Sequence, residues 1–132
     1  MKTLQEVREI FEKDRFATEN GARVEDFGEG FAKCTLQITD RHRNAVGALM
    51  GGVPFMLADF AFAVAVNHEE MATVSLASSI TYLGVPKGER LIAEARAVKE
   101  GRSTCYYRVC IRDERDTPVA EVAINGFRRK GG

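Results

Sequence analysis

The chain's 132 residues suit one compact domain, 1–132, and a 45% hydrophobic share can bury a core without disulfides or metal. Lys and Arg total 19 and Asp and Glu total 19, so no long-range field draws the chain onto nucleic acid or an anionic membrane. An anionic ligand must therefore be held by local contacts. Cys34, Cys105 and Cys110 lack CxxC spacing, and the stretch MKTLQEVREIFEKD is too charged for a signal-peptide core, which together point to a reducing cytoplasm.

Thr3 and Glu6 stand in capping-box spacing, followed by Leu4, Val7, Ile10 and Phe11 on one helical face. The pattern predicts an amphipathic helix ending before Asn20-Gly21. Arg23 to Phe27 is a possible first strand, and Phe31 to Thr39 alternates with period two, setting Ala32, Cys34, Leu36 and Ile38 against Lys33, Thr35 and Gln37. A polar loop, Thr39 to Asn44, leads into Gly47-Ala48-Leu49-Met50-Gly51-Gly52.

The apolar run Val53 to Val66 follows, with Pro54 suited to a first helical turn and Asn67 or His68-Glu69-Glu70 suited to stop it. It is too short, and with Asp59 too polar, to span a membrane, and it predicts a helix buried nearly all round. Thr73 to Leu83, Leu91 to Lys99, Thr104 to Arg112 and Val119 to Arg128 read as four strands of an antiparallel meander. Gly84 to Gly88, Glu100-Gly101 and Asp113 to Asp116 supply the turns. Strands of this length need one face covered, and only the Val53 helix is apolar enough to cover them. The expected fold class is α+β, with an antiparallel sheet wrapped around a central helix.

Asp59 is the one charge in VPFMLADFAFAVAV, and an unpaired buried carboxylate costs several kcal/mol or takes up a proton. It either fixes packing through hydrogen bonds or serves as a desolvated nucleophile or general base. Gly51 and Gly52 bring bare backbone to the helix start, where N–H groups and the helix dipole can stabilise an oxygen gaining negative charge; they equally suit a tight turn. Asp59 lies two turns from Gly51, roughly 12 Å, too far for one helix to serve one substrate atom with both. Two antiparallel helices from paired subunits remove that difficulty. His42 and His68 are far apart in sequence and form no ligand cluster with the cysteines, so no metal site is expected.

The segment HRNAVGALMGGVPFMLADFAFAVAVN resembles the signature of the hotdog-fold thioesterases of the phenylacetate-degradation (PaaI-like) type, H-x-N-x-x-G-x-x-H-G-G followed by an apolar helix with L-A-D. His42, Asn44, Gly47, Gly51, Gly52, Leu57, Ala58 and Asp59 match in spacing, and the resemblance extends over nearly the whole chain. It implies a hotdog fold, a homodimer with a continuous sheet that pairs into a homotetramer, and an active site at the dimer interface. It implies hydrolysis of a small, aromatic or medium-chain acyl-CoA without a cofactor, coenzyme A being part of the substrate.

By the same resemblance, the Gly51 N–H polarises the thioester carbonyl with help from Asn44, and Asp59 of the facing subunit attacks the carbonyl or activates water. Ser75 matches a hydroxyl near that water in some members, and Arg102 and Ser103 match a position near the pantetheine or nucleotide end. Arg102 also reads as an ordinary hairpin arginine, and Lys87 and Arg90 are further rim cations. Phe55, Met56, Phe60 and Phe62 are candidates for either acyl pocket or core. The departure from the motif is Met50, beside Gly51 and Gly52 in the substrate-binding stretch, where the family usually has a histidine that can donate a hydrogen bond. That departure keeps a non-catalytic acyl-CoA binder as the alternative function. His42 precedes Asn44 in the loop and is read as solvent-facing or loop-stabilising.

Overall fold

The structure, a computed structural model, describes residues 1–129; the last three residues of the expected 1–132 domain lie outside the described residues. Helix α1, Leu4–Phe11, carries the expected capping box: the Glu6 N–H donates to Thr3 Oγ1 at 3.2 Å and the Thr3 N–H to Glu6 Oε1 at 2.9 Å. The helix does not run on to Asn20. It stops after Phe11, and a separate short helix, α2, spans Arg15–Glu19. The cause is visible in the spacing, because the next positions on the buried face after Phe11 are Asp14 and Arg15, so a continued helix would bury nothing.

Six strands follow: β1 (Arg23–Gly28), β2 (Phe31–Gln37), β3 (Thr73–Tyr82), β4 (Arg90–Glu100), β5 (Thr104–Asp113) and β6 (Pro118–Arg128). All pairings are antiparallel, in the order β1-β2-β4-β5-β6-β3, so the expected α+β architecture of a curved sheet around one helix is present. The expected four-strand meander is not. β4, β5 and β6 form a meander, but β3 crosses over to pair with β6 at the far edge, and β2 takes the place beside β4. The strand's own residues suit an edge: Ser75, Ala77, Ser78 and Ser79 are small, Ile80 packs against the core, and Val74 to Ala77 are exposed in succession.

Helix α3, Gly52–Asn67, lies across the concave side of the sheet, and Leu57, Ala58, Ala61 and Val64 are fully buried there. Fully burying a side chain such as Leu57 or Val64 contributes about 1.5–3 kcal/mol each. Phe62 meets Tyr107 of β5 edge-on at 5.4 Å, and Phe60 meets Phe11 of α1 at 6.2 Å, so the helix is fixed from both sides. At its end the Asn67 side chain accepts from the N–H groups of Ala72 and Thr73 at 3.0 and 2.9 Å and donates to the Thr73 carbonyl at 2.9 Å. This ties the helix stop to the start of β3. Among the described residues, no helix is long and apolar enough to cross a membrane.

Candidate active site

The loop before α3 is built around His42 and Asn44. His42 is buried rather than solvent-facing: its Nδ1 accepts from the Thr39 N–H at 2.9 Å and its Nε2 lies 2.6 Å from the Asn20 carbonyl. A backbone donor on Nδ1 and a carbonyl acceptor at Nε2 match the tautomer that carries its proton at Nε2. The His42 carbonyl accepts from the Met50 N–H at 2.9 Å, so the imidazole anchors the strand of loop that delivers Gly51. Asn44 Oδ1 accepts from the N–H groups of Val46 and Ala48, both at 3.1 Å, across a turn in which Gly47 has φ +85°. The Asn44 carbonyl oxygen is thus spent on the loop, and its amide NH₂ is the end left to donate elsewhere.

Gly51 is the N-cap of α3. The Val53 N–H donates to the Met50 carbonyl at 3.0 Å, which fixes the Met50–Gly51 peptide plane. Because a trans peptide sets C=O and N–H on opposite sides, the Gly51 N–H faces away from the helix, and among the described residues nothing accepts from it. Tyr82, at the end of β3, donates its hydroxyl to the Gly51 carbonyl at 2.7 Å. A Cβ at position 51 would sit 2.8 Å from that hydroxyl, so only glycine keeps the bond. Gly51 and Tyr82 border an apolar cavity of about 380 Å³, with Leu49, Pro54, Val85 and Val119 in its wall.

Asp59 is not enclosed by the fold. An open sheet covers one side of a helix, and on the other side of α3 Gly52 and Asp59 are exposed while Phe55 and Met56 are half-buried. The expectation of a helix buried nearly all round is therefore corrected. Asp59 opens onto a second cavity of about 380 Å³, walled otherwise by Phe16, Gly52, Phe55 and Met56. Its carboxyl reaches solvent on one side and is packed on the other. That partial burial, and after it the like charge of Asp14, push its pKa above the ordinary 3.8. Burial also raises the Asp14 pKa. Arg15, the neighbouring cation, is paired with Glu19 at 2.6 Å.

Gly51 and Asp59 therefore open onto different cavities of one chain. Met50 is exposed beside the first, held through its N–H, and Gly52 starts the helix between the two. Of the four aromatic or sulfur candidates on α3, Phe55 and Met56 face the Asp59 cavity, whereas Phe60 and Phe62 are buried against Phe11 and Tyr107. Ser75 lies on the exposed edge strand opposite Gly126, beside a bulge, and borders neither cavity. Arg102 is exposed in the β4–β5 turn, where the Ser103 carbonyl accepts from the Arg128 N–H at 2.8 Å; this turn is also remote from both cavities. Sequence reasoning missed Tyr82 and Phe16. Tyr82 reads as one more strand residue, and its partner is 31 positions away. Among the described residues, no group of three or more His, Cys, Asp or Glu is placed to hold a metal ion.

Comparison with known proteins agrees with this architecture. The thioesterase superfamily matches over residues 46–120, a span that holds Gly51, Asp59 and Tyr82. The chain is 32% identical to the acyl-coenzyme A thioesterase PaaI of Escherichia coli over 120 residues, 90% of this chain and 86% of the relative. The solved E. coli PaaI structure superposes with a TM-score of 0.88 at 30% identity, covering 96% of this chain and 93% of that one. A Streptococcus pneumoniae thioesterase protein solved with coenzyme A gives a TM-score of 0.80 at 25% identity, covering 92% and 98%. The chain belongs to the thioesterase superfamily and has its hotdog fold.

Proposed function

We propose that the protein is an acyl-CoA thioesterase acting on a small, aromatic or medium-chain acyl-CoA, with Asp59 of one subunit and the Gly51 N–H of another forming each site. The observation that carries this reading is the division of one chain's chemistry between two cavities: Gly51, whose N–H has no acceptor among the described residues, borders one, and a partly desolvated carboxylate borders the other. The edge strand β3 supports the pairing. It carries exposed Val74 and Leu76 and, among the described residues, has a partner on one side only, the condition under which strand edges join a second chain. A homodimer joined along β3, assembling further to a homotetramer, lets the two helices meet.

In the proposed reaction the thioester oxygen sits on the Gly51 N–H, with the Asn44 amide as a second donor. Negative charge gathers on that oxygen as the carbonyl carbon is attacked, and a fixed N–H at a helix start stabilises it without reorganising. Asp59 either adds to the carbon, expelling CoA thiolate and leaving a mixed anhydride that water opens, or takes a proton from the water that adds. Both routes convert acyl-CoA and water to a carboxylic acid and CoA thiol, so no cofactor is required. Met50 and Gly52 flank the thioester; Ser75, Arg102 and Ser103 border neither cavity within one chain, so Ser75 orients the water, and Arg102 and Ser103 meet the pantetheine or nucleotide end, only across the assembly.

Met50 supports a second reading, an acyl-CoA binder that does not turn over. Its exposed thioether stands where the related motif has a hydrogen-bonding histidine, so one polar contact to the thioester is missing. Thiol release measured over acetyl-, hexanoyl-, phenylacetyl- and palmitoyl-CoA separates the two. Turnover with at least one of them is the expected result; tight binding with no thiol release from any of them selects the binder.

A further inference from the structure

Phe16 is 77% exposed, yet its backbone is fixed. Its carbonyl accepts from Asn20 Nδ2 at 2.8 Å, and Thr18 Oγ1 ties the turn before it to the Glu12 and Asp14 carbonyls, both at 3.2 Å. Ala17, the next residue, is buried and anchors α2 against the fold. Within one chain the ring is therefore left uncovered by a hydrogen-bonded segment, without the burial an aromatic side chain ordinarily gains.

The space beside it is specific. Phe16, Met56 and Asp59 are shared by two cavities, the one of about 380 Å³ on the Gly52 and Phe55 side and another of about 390 Å³ on the Asp14 and Arg15 side. A carboxylate that acts on a thioester carbonyl carbon has that carbon's two substituents beside it, the acyl group and the sulfur of the pantetheine arm. Pantetheine carries amides and ends in phosphates, which call for hydrogen-bonding and cationic partners. The Gly52 side has no polar side chain apart from Asp59 itself. It fits the acyl group, and its volume lies at the low end of small-molecule sites, typically about 300–1,000 Å³.

We propose that Phe16 is the specificity-determining wall of the acyl site, its ring lying against an apolar acyl group of aromatic or medium-chain size seated on Phe55 and Met56. This rests on Asp59 as the reacting carboxylate and deepens that reading by assigning the substrate class to a residue outside the motif. The break between α1 and α2 then has a use: it carries Phe16 to the open side of α3.

The test compares wild type, Phe16→Ala and Phe16→Leu on acetyl-, phenylacetyl- and decanoyl-CoA, with light scattering to record the assembly. Phe16→Ala is expected to lose at least about ten-fold more kcat/KM on the two larger substrates than on acetyl-CoA, the scale on which apolar pockets discriminate, with Phe16→Leu intermediate. An equal loss on all three, an absence of loss, or a uniform loss accompanied by a smaller assembly overturns the proposal; the last result makes Phe16 a subunit contact. The same preference is read without turnover from the Kd of S-acetonyl-CoA and S-phenacyl-CoA, which are not hydrolysed. If Phe16→Ala leaves the ratio of those two constants unaltered, the proposal fails whatever the activity of Asp59, whereas the catalytic reading is tested by Asp59→Asn alone.

Discussion

The Tyr82 hydroxyl donates to the Gly51 carbonyl at 2.7 Å, tying the end of the edge strand to the first turn of the central helix. With the Met50 N–H held by His42 and the Met50 carbonyl held by Val53, this bond means that three successive peptides, Leu49–Met50, Met50–Gly51 and Gly51–Gly52, are each held by one hydrogen bond, the middle one carrying the Gly51 N–H. An N–H fixed before the reaction stabilises developing charge more than one that must turn to meet it.

Tyr82→Phe keeps the ring and removes only the bond. One such hydrogen bond contributes about 0.5–1.5 kcal/mol net, so kcat is expected to fall roughly two- to ten-fold. Because Tyr82 acts through Gly51, steady-state kinetics should show the loss in kcat with KM little changed. A loss confined to KM would make Tyr82 a substrate contact instead.

The Asp59 carboxyl has a pKa raised first by burial and next by Asp14, so an activity that needs the carboxylate declines at a pH above the ordinary 3.8. Asp14→Asn removes a like charge and lowers the Asp59 pKa. The acid limb of the kcat/KM profile should move to lower pH while the alkaline side stays in place. Arg15, paired with Glu19, does not neutralise either carboxylate in the wild type. An acid limb unmoved by Asp14→Asn contradicts the assignment of that limb to Asp59.

The same shift has a sign for stability. A carboxyl whose folded pKa is raised favours the folded state in its protonated form, and that contribution is lost as pH rises through the folded pKa. At neutral pH Asp59 is therefore a cost to the fold. Asp59→Asn should raise the melting temperature at pH 7, and the gain should shrink as the pH is lowered through the Asp59 pKa. Thermal unfolding at several pH values checks both the direction and its disappearance.

Much of this was legible in the residues. The Thr3 and Glu6 capping box, the Asn67 stop of α3 and the alternation of β2 are local signals: α3 and β2 formed within two residues of their expected bounds, and α1 began at its capping box but ended at Phe11 instead of before Asn20. What was not legible depends on partners distant in the chain. The run around Asp59 is apolar on every face, so its periodicity carries no sign of which face the sheet leaves uncovered. Its open face, with Phe55 and Met56, is apolar without being core. Tyr82 and Phe16 carried no motif at all; the β3 crossover placed one at Gly51, and the break after Phe11 placed the other at Asp59. The crossover itself had only a weak signal in TVSLASSITY, whose Ser75, Ala77, Ser78 and Ser79 leave little apolar surface in the middle of the strand.

The central claim is that Asp59 is the reacting carboxylate. Thiol release by wild type and Asp59→Asn, measured side by side on the best acyl-CoA with the fold checked by circular dichroism and the assembly by light scattering, tests it most directly. The account predicts a folded, equally assembled variant whose turnover is lower by about 10² or more, the scale of a positioned proton-transfer group. A folded Asp59→Asn protein that turns over as fast as the wild type would contradict it.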